Sequence, residues 1–310
     1  MGYNFSSKKI RPHFLFSLVY TKIVRRYFHR LILHNVLSQQ APIIEYRGPN
    51  GPFDRKVEDN LVKRIKSLVS NLIFGPLLFR NAAFSFIGGR KVLGNSTGQP
   101  IFAHSLDYDL YLESKSVPNP IRADPLPYLL FLDEDYVFHE DYKLLGMKSP
   151  VTAENYYSEV NFMLANLGEQ LDLLPIIQVH PSADRKLAKK YYNFKLSNVE
   201  TIHAVMNADL VVSHDSTALQ FAVMCNKPVI LLETTEIIAS DYYHPQIQHF
   251  SKALGCSVMN LDDFSSEIGF PRICKESYAE YMEDYVKTNL SVEKFSYEIL
   301  ASFLLNAAKA

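Results

Sequence analysis

Three polar clusters in the second half of the chain each follow an apolar run, and their residue types can do chemistry. They are Asp133-Glu134-Asp135, His180-Pro181-Ser182 and Ser213-His214-Asp215-Ser216-Thr217. Carboxylates and imidazoles move protons, and imidazoles and hydroxyls bind phosphate esters. An apolar run that ends in a polar cluster is typical of a strand in a parallel sheet, where ligands bind outside the carboxyl ends of the strands. We therefore predict that the three clusters lie along one edge of a sheet.

Residues 208–233 indicate how the third cluster is held. An apolar run ends at Ser213, a helical segment is predicted over 218–225, and a second strand is predicted over 229–232, with Glu233 at its end. Such a unit places Ser216 and Thr217 at the start of a helix. Backbone N–H groups and the positive end of the helix dipole favour an anion there. The pattern predicts a phosphate site and nucleotide-linked chemistry.

The first half offers a second set of candidates. Phe86-Ile87-Gly88-Gly89 has the glycines that let backbone approach a ligand closely. His104 and Asp107 follow another predicted strand, over 100–104. A group transfer to a hydroxyl needs a base to accept its proton. His104 or Asp107 is the predicted base. The His-Pro pairing recurs at His244-Pro245, but no predicted strand precedes it, so we assign it no role.

Strands and helices alternate between residues 128 and 233, which predicts an α/β fold with a parallel sheet covered on both faces. The longest helix is predicted over 152–173, with Thr152 as its N-cap. Residues 114–127 contain four prolines and are interpreted as a linker. The predicted domains are therefore residues 1–120 and 121–310.

Composition excludes several classes of protein. A net charge of −1 argues against a nucleic-acid partner, and three cysteines without close spacing indicate neither a disulfide framework nor a zinc site. We expect no metal and no cofactor. With no apolar run of transmembrane length and no signal-peptide pattern, a cytoplasmic location is predicted.

The first 44 residues carry seven lysines and arginines and no acidic residue. Helices are predicted over 13–37 and 56–79. The basic helix 13–37 has two interpretations, which the sequence leaves open. It can rest on anionic lipid at the inner face of a membrane, or it can be a domain helix whose long side chains cover neighbouring surface.

Residues 128–240 resemble the carboxyl-terminal half of GT-B-fold glycosyltransferases. The resemblance is carried by the order of the strand end QVHP, the segment ADLVVSHDST and the segments ALQFAV and NKPVILLE. It is strongest toward enzymes of bacterial surface polysaccharide, the sialyltransferase-like and capsule Kdo-transferase-like families.

The resemblance implies a Rossmann-like carboxyl-terminal domain that binds a nucleotide-sugar, and a smaller, abbreviated amino-terminal α/β domain. By resemblance, His180 with Pro181 contacts the donor phosphate. The 213–217 segment, above all Ser216 and Thr217, binds the phosphate, and Glu233 reaches the ribose. The implied acceptor is a surface glycan or glycolipid, polysaccharide or lipopolysaccharide, and the implied transfer is metal-independent.

Two departures from the families keep other functions open. The acidic pair followed by glycine that supplies the base in related sialyltransferases has no match in the first half, and Asp133-Glu134-Asp135 precedes tyrosine instead. One alternative is a non-hydrolysing UDP-sugar 2-epimerase, although Asp215-Ser216 is followed by Thr217-Ala218 where that family has two glycines. The other is a non-catalytic nucleotide-binding scaffold subunit.

Overall fold

A computed structural model describes residues 15–17, 43–47, 52, 84–91, 98–116, 122–139, 142 and 148–307. For 15–17 and 43–47 it describes the course of the backbone. Within these ranges no helix has the length and apolarity needed to cross a membrane.

The first half forms a parallel sheet of four strands in the order of the chain. The strands are β1 (Leu15–Ser17), β2 (Ile43–Arg47), β3 (Phe84–Ile87) and β4 (Gln99–Phe102). The two strands predicted here, within 84–89 and 100–104, are confirmed as β3 and β4. Residues 15–17 are strand, however, and not part of the predicted helix 13–37, because pairing with β2 satisfies their backbone groups. The rest of that segment, and all of 56–79, lie outside the described residues.

The second half forms a six-stranded parallel sheet. Its strands are β5 (Tyr128–Leu132), β6 (Leu174–Gln178), β7 (Lys195–Leu196), β8 (Leu210–Ser213), β9 (Val229–Leu232) and β10 (Ser257–Met259). Their order is β10-β9-β8-β5-β6-β7, and every pairing is parallel. Numbered from β5, this is the 3-2-1-4-5-6 order of the doubly wound Rossmann fold. The predicted α/β class with a Rossmann-like second sheet is confirmed.

Nine α-helices connect or cover the strands in the described residues. They are α1 (Leu106–Lys115), α2 (Ala153–Leu171), α3 (Arg185–Tyr191), α4 (Thr201–Asn207), α5 (Leu219–Met224), α6 (Thr235–Ile238), α7 (Tyr243–Leu254), α8 (Lys275–Tyr281) and α9 (Ser296–Ala307). A 3₁₀ turn spans Leu261–Ser265, and a π-helical turn spans Met282–Val286. The predicted long helix is α2, and Thr152 is its N-cap residue as predicted. The Thr152 hydroxyl donates to Glu236 and makes no capping hydrogen bond to the helix.

The second sheet carries the larger core. Every residue of β5, β8 and β9 is buried, as expected for central strands covered on both faces. The last helix returns to the first sheet, where Ile299 packs with Phe86 and Ile101. In the sequence, the predicted boundary near residue 120 falls between the strands of the two sheets, and the division into two domains stays a prediction. Helix α9 follows the second sheet in the chain but packs against the first sheet.

Candidate functional site

The strand order places a topological switch point between β5 and β8, since the chain leaves β5 toward β6 on one side and reaches β8 on the other. In open parallel sheets the crevice outside the carboxyl ends of these strands binds ligands. The loops after β6, β5, β8 and β9 are consecutive along this edge. At about 4.8 Å per strand they span about 15 Å. The prediction that the three polar clusters share one edge is confirmed.

The loop after β5 begins with a buried carboxyl group. Asp133 is 3% exposed, and its backbone N–H donates to the carbonyl of Gln178 on β6 at 3.0 Å. One Asp133 carboxylate oxygen accepts from the N–H of Asp135 at 3.0 Å, and Asp135 has φ 52°, so the chain turns sharply there. Burial raises the pKa of Asp133 to about 6, partly offset by the Asp135 N–H.

Glu134 faces the loop after β8. Its side chain accepts from the Ser216 hydroxyl and lies near the carboxylate of Asp215. Burial first, and then the charge of Asp215, raise the pKa of Glu134 to about 8. At pH 7 the Glu134 carboxyl is therefore mainly protonated and can donate a hydrogen bond to a ligand.

Across the described residues, no three acidic, histidine or cysteine side chains are grouped to hold a metal ion.

The carboxylate of Asp215 is hydrogen-bonded to a buried side chain. Its carboxylate accepts a short hydrogen bond from the Tyr136 hydroxyl, and burial raises its pKa to about 6. Tyr136 also stacks on His214 with 5.1 Å between ring centroids. The two loops on either side of the switch point are thus joined by side chains.

His214 is fully buried and supports the β8 loop from below. Its Nδ1 lies 2.7 Å from the carbonyl oxygen of Leu232, which only accepts, so Nδ1 carries the proton. Its Nε2 accepts from the Tyr156 hydroxyl at 3.0 Å. Burial lowers the pKa of His214 to about 4, so the ring is neutral at pH 7. Both ring nitrogens of His214 thus have protein partners, and its predicted contact with a ligand stays a prediction.

At the start of α5, the helix after β8, the structure differs from the anion site that the sequence predicted. Helix α5 begins at Leu219, and the N–H of Ala218 is taken by the Ser216 hydroxyl at 3.1 Å. The next three N–H groups donate to the carbonyls of residues 216–218. Ser213 is fully buried, and its hydroxyl donates to the carbonyl of Leu132. Of the predicted hydroxyls, only that of Thr217 belongs to an exposed residue.

His180 lies at the start of the loop after β6 and is half-buried, with Pro181 exposed beside it. Its Nδ1 accepts from the N–H of Ser182 at 3.3 Å and lies 2.8 Å from the Ser182 hydroxyl. In the neutral ring the proton is therefore on Nε2.

Glu233, at the end of β9, has partners that the sequence did not reveal. One carboxylate oxygen lies 2.7 Å from Nδ1 of His244, and the other accepts from Gln248 at 3.3 Å. Burial raises the pKa of Glu233, and His244 partly offsets this. His244 was assigned no role because no strand precedes it. It reaches the edge because α7 begins at Tyr243 and lies against β9, which the recurring His-Pro pairing alone does not show.

Aromatic rings of the β5 loop join the neighbouring loops. The rings of His139 and His180 are 5.0 Å apart between centroids, and those of Tyr136 and Tyr243 are 4.7 Å apart. The hydroxyls of Tyr142 and Tyr243 are 3.0 Å apart. No sequence signal indicates His139, because it lies six residues beyond the start of the polar cluster that follows the predicted strand.

The two predicted bases in the first half have different placements. His104 is fully buried, with its ring nitrogens 3.0 and 2.7 Å from the carbonyls of Ser105 and Lys294. Both ring nitrogens of His104 therefore face protein carbonyl groups. Asp107 is half-buried at the start of α1 and accepts a short hydrogen bond from Gln220 of α5. Burial raises the pKa of Asp107, and the bond to Gln220 partly lowers it.

Gly89 lies close to the backbone of another segment of the protein. A Cβ atom there would overlap the carbonyl oxygen of Asp284 in the π-helical turn. Arg90 next to it donates to the Asp284 carboxylate at 2.6 Å, and the N–H of Ser105 donates to the carbonyl of Val286 at 2.6 Å. These contacts tie the first sheet to residues 282–286 and so fix Asp107 against α5.

No protein-family model and no curated protein matches the chain. Among solved structures, it is similar to the glycotransferase of kitacinnamycin, at 10% identity, 89% of this chain, 69% of that chain and a TM-score of 0.46. It is also similar to a putative UDP-N-acetylglucosamine 2-epimerase from Listeria monocytogenes, at 14% identity, 95% and 75% coverage and a TM-score of 0.48. A third is the spinosyn rhamnosyltransferase complexed with thymidine diphosphate, at 13% identity, 97% and 74% coverage and a TM-score of 0.41. Likeness at this level does not identify an activity.

Proposed function

We propose that this protein is a glycosyltransferase that binds a nucleotide-sugar at the carboxyl edge of the six-stranded sheet. The observation that carries the proposal is the Rossmann strand order, with four polar loops side by side at the carboxyl edge on both sides of its switch point. The edge is extended, which suits an elongated donor. The sequence resemblance of residues 128–240 supports a nucleotide-sugar as that donor.

The donor is proposed to contact side chains that the structure leaves at the surface of the edge. These are His180 with Pro181 on the β6 side and Thr217 on the β8 side. Glu233 lies at the β9 end, is 4% exposed and has His244 and Gln248 at its two carboxylate oxygens; its contact with the ribose is proposed from the resemblance alone. Ser213, His214, Asp215 and Ser216 hold the β8 loop in place beneath the ligand.

Asp107 is the proposed base. It comes from the first half of the chain yet lies against α5, which follows the β8 loop. Its raised pKa favours accepting a proton from an acceptor hydroxyl. We assign His104 a structural role instead, because its Nε2 contacts the backbone carbonyl of Lys294. The protonated carboxyl of Glu134 can stabilise the departing phosphate by donating to it.

A surface glycan or glycolipid is the proposed acceptor, by the same resemblance. Work on such an acceptor would place the protein in the cytoplasm, at the inner face of a membrane, with residues 13–37 as the proposed contact. Most of that segment lies outside the described residues, and pelleting with anionic vesicles at low and high salt tests it directly.

The experiment begins by asking which of CMP, UDP, GDP and CDP raises the melting temperature. A nucleotide at 100 times its Kd adds about 2.7 kcal/mol to the free energy of unfolding, a shift of several degrees. The matching nucleotide-sugars are then incubated with and without glycan acceptors. Acceptor-dependent nucleotide release supports the transferase.

Two other outcomes contradict it. Isomerisation of the sugar without dependence on acceptor would indicate the UDP-sugar 2-epimerase activity. Nucleotide binding with no turnover on any acceptor would indicate a scaffold subunit.

A further inference from the structure

Helix α3 carries a cluster of cations beside the ligand edge of the six-stranded sheet. Its four basic residues are all exposed: Arg185, Lys186, Lys189 and Lys190. The whole chain has a net charge of −1, so this concentration of positive charge is local. The single acidic residue within 179–198 is Asp184, whose carboxylate accepts from the backbone N–H of Lys186 at 2.8 Å as the N-cap of the helix.

The spacing of the four cations places them on one face of α3. With 3.6 residues per turn, positions 185, 186, 189 and 190 fall within an arc of about 140°. The other side of the helix carries Ala188 and leads to Tyr192, and both are buried in the main core. The cationic face, which we call the α3 face, is therefore turned to solvent.

The protein itself supplies little negative charge to the α3 face. Lys186 and Lys189 have no side-chain hydrogen bond or ion pair within the described part of the chain. The ammonium group of Lys190 lies 5.0 Å from the ring centroid of Tyr191, which is uncharged. Like charges four positions apart destabilise a helix. The cluster thus does not stabilise α3, and its charge is complementary to an anionic partner.

Helix α3 begins close to the proposed donor site. Strand β6 ends at Gln178 and α3 begins at Arg185, so the helix starts in the connection that leaves the carboxyl edge. A helix that connects parallel strands runs back along the sheet, so the first pair of cations lies nearest the edge and the second pair about one turn farther from it. The guanidinium group of Arg185 is fixed there, because it donates to the carbonyl of Ser197 at 2.8 Å.

An anionic glycan fits the α3 face better than a membrane does. A helix that lies on lipid inserts large apolar side chains among the lipid chains. In residues 179–198, all of them described, no large apolar side chain is exposed, and the apolar side of α3 packs inside the protein. The helix is about 10 Å long, which is the scale of a short stretch of a glycan chain and not of a bilayer surface.

We infer that the α3 face binds an anionic polysaccharide, one whose sugars carry carboxylate or phosphate groups. The inference rests on the proposed function, because it assigns negative charge to the glycan acceptor proposed above. The α3 face holds the acceptor chain beside the β6 end of the donor edge. Its lysines bind the polymer and take no part in the transfer itself.

The test measures how strongly polygalacturonate, a polysaccharide with one carboxylate per sugar, retards the full chain in native gel electrophoresis. The α3 variant combines Lys186→Gln, Lys189→Gln and Lys190→Gln and keeps Arg185, which is bonded to Ser197. It should bind polygalacturonate about tenfold more weakly at low salt, because three exposed ion pairs of modest strength are lost together. Added salt should weaken binding of the wild type more than binding of the variant, since it screens the charges that the variant lacks.

The matched control combines Lys252→Gln, Arg272→Gln and Lys275→Gln. These three exposed residues lie on α7, before α8 and at the start of α8, at the β10 end of the sheet and thus at the opposite end from α3. The control loses the same charge and should bind polygalacturonate within about twofold of the wild type. Dextran, an uncharged polysaccharide, should retard none of the proteins, and melting temperatures establish that the variants are folded.

The inference is overturned if polygalacturonate does not retard the wild type, or if the α3 variant and the control weaken binding equally. It is also overturned if the α3 variant loses binding to vesicles of phosphatidylcholine and phosphatidylglycerol while polygalacturonate retards no protein, since the face then binds lipid.

Assays of nucleotide binding and sugar transfer separate this inference from the proposed function. Retardation that depends on the α3 lysines, without nucleotide binding or transfer, would retain the glycan surface and refute the glycosyltransferase. Transfer to a neutral glycan that the α3 variant catalyses as well as the wild type, with no retardation by polygalacturonate, would do the reverse.

Discussion

The hydrogen bond between Tyr136 and Asp215 joins the two loops at the switch point, and Tyr136→Phe removes it while keeping the ring. Both residues are buried, at 3% and 7% exposed. The phenyl ring left by the substitution would keep the contacts of the tyrosine ring with His214 and Tyr243, so the change isolates the hydroxyl. What remains is a buried carboxyl group without its donor.

The magnitude depends on the charge of Asp215. Burial raises its pKa to about 6, and the Tyr136 bond partly lowers it. A raised folded-state pKa means that stability is fully present below about pH 4 and is lost as the pH rises through about 6. At pH 8 the carboxylate is ionised, and losing a hydrogen bond to a charged group costs about 1.5–3 kcal/mol. At pH 5 it is mainly protonated, and the cost falls to about 0.5–1.5 kcal/mol.

Urea unfolding followed by far-UV circular dichroism measures both values, because the chain has no tryptophan to report by fluorescence. Tyr128→Phe is the matched control. Tyr128 is fully buried, and its hydroxyl donates to the neutral carbonyl of Ala204 at 2.6 Å. Its loss should cost about 1 kcal/mol at both pH values. Equal losses for Tyr136→Phe at pH 5 and pH 8 would refute the argument that Asp215 ionises against a tyrosine donor.

Three further changes test other parts of the structure. Glu134→Gln should raise the melting temperature at pH 9 but not at pH 5, because wild-type Glu134, with its pKa of about 8, loses stability as it ionises; a difference that does not vary with pH would contradict this. Gly89→Ala should lower the free energy of unfolding by about 1–3 kcal/mol, since its Cβ would overlap Asp284. Gly269→Ala, in open space, should change the free energy of unfolding by less than about 0.5 kcal/mol. Thermal unfolding that does not distinguish the two variants would be inconsistent with the packing. Asp107→Asn should reduce acceptor-dependent nucleotide release about 10²–10⁴-fold with nucleotide affinity unchanged, and a variant as active as wild type would exclude Asp107 as the base.

Local patterns predicted most of the second sheet. The apolar runs that became β5, β6, β8 and β9 are bounded by polar clusters, and alternation with helices is the signature of a parallel sheet. The short edge strands β7 and β10 were not predicted, because two or three residues give no periodicity. Helix prediction over 15–17 failed for a related reason, since pairing with β2 outweighs the helical spacing of the apolar residues.

The site was predicted as residues but not as geometry. His180, Thr217 and Glu233 do lie at the edge of the sheet, because the end of a strand is visible in sequence. The orientation of each side chain was not visible. His104 and His214 turned inward, where one ring nitrogen of each contacts a carbonyl group elsewhere in the chain, that of Lys294 or that of Leu232. Whether a polar group faces a ligand or the core depends on which partner lies opposite.

What the sequence determined by itself is therefore the α/β class, the parallel second sheet and the edge on which its polar residues gather. These follow from periodicity and strand ends, which are local properties of the chain. Only the tertiary structure decided that His139 lies beside His180, that His244 holds Glu233 and that Asp107 meets α5. Such contacts join residues 11 to 113 positions apart, and they form because the sheet order brings separate loops to one edge.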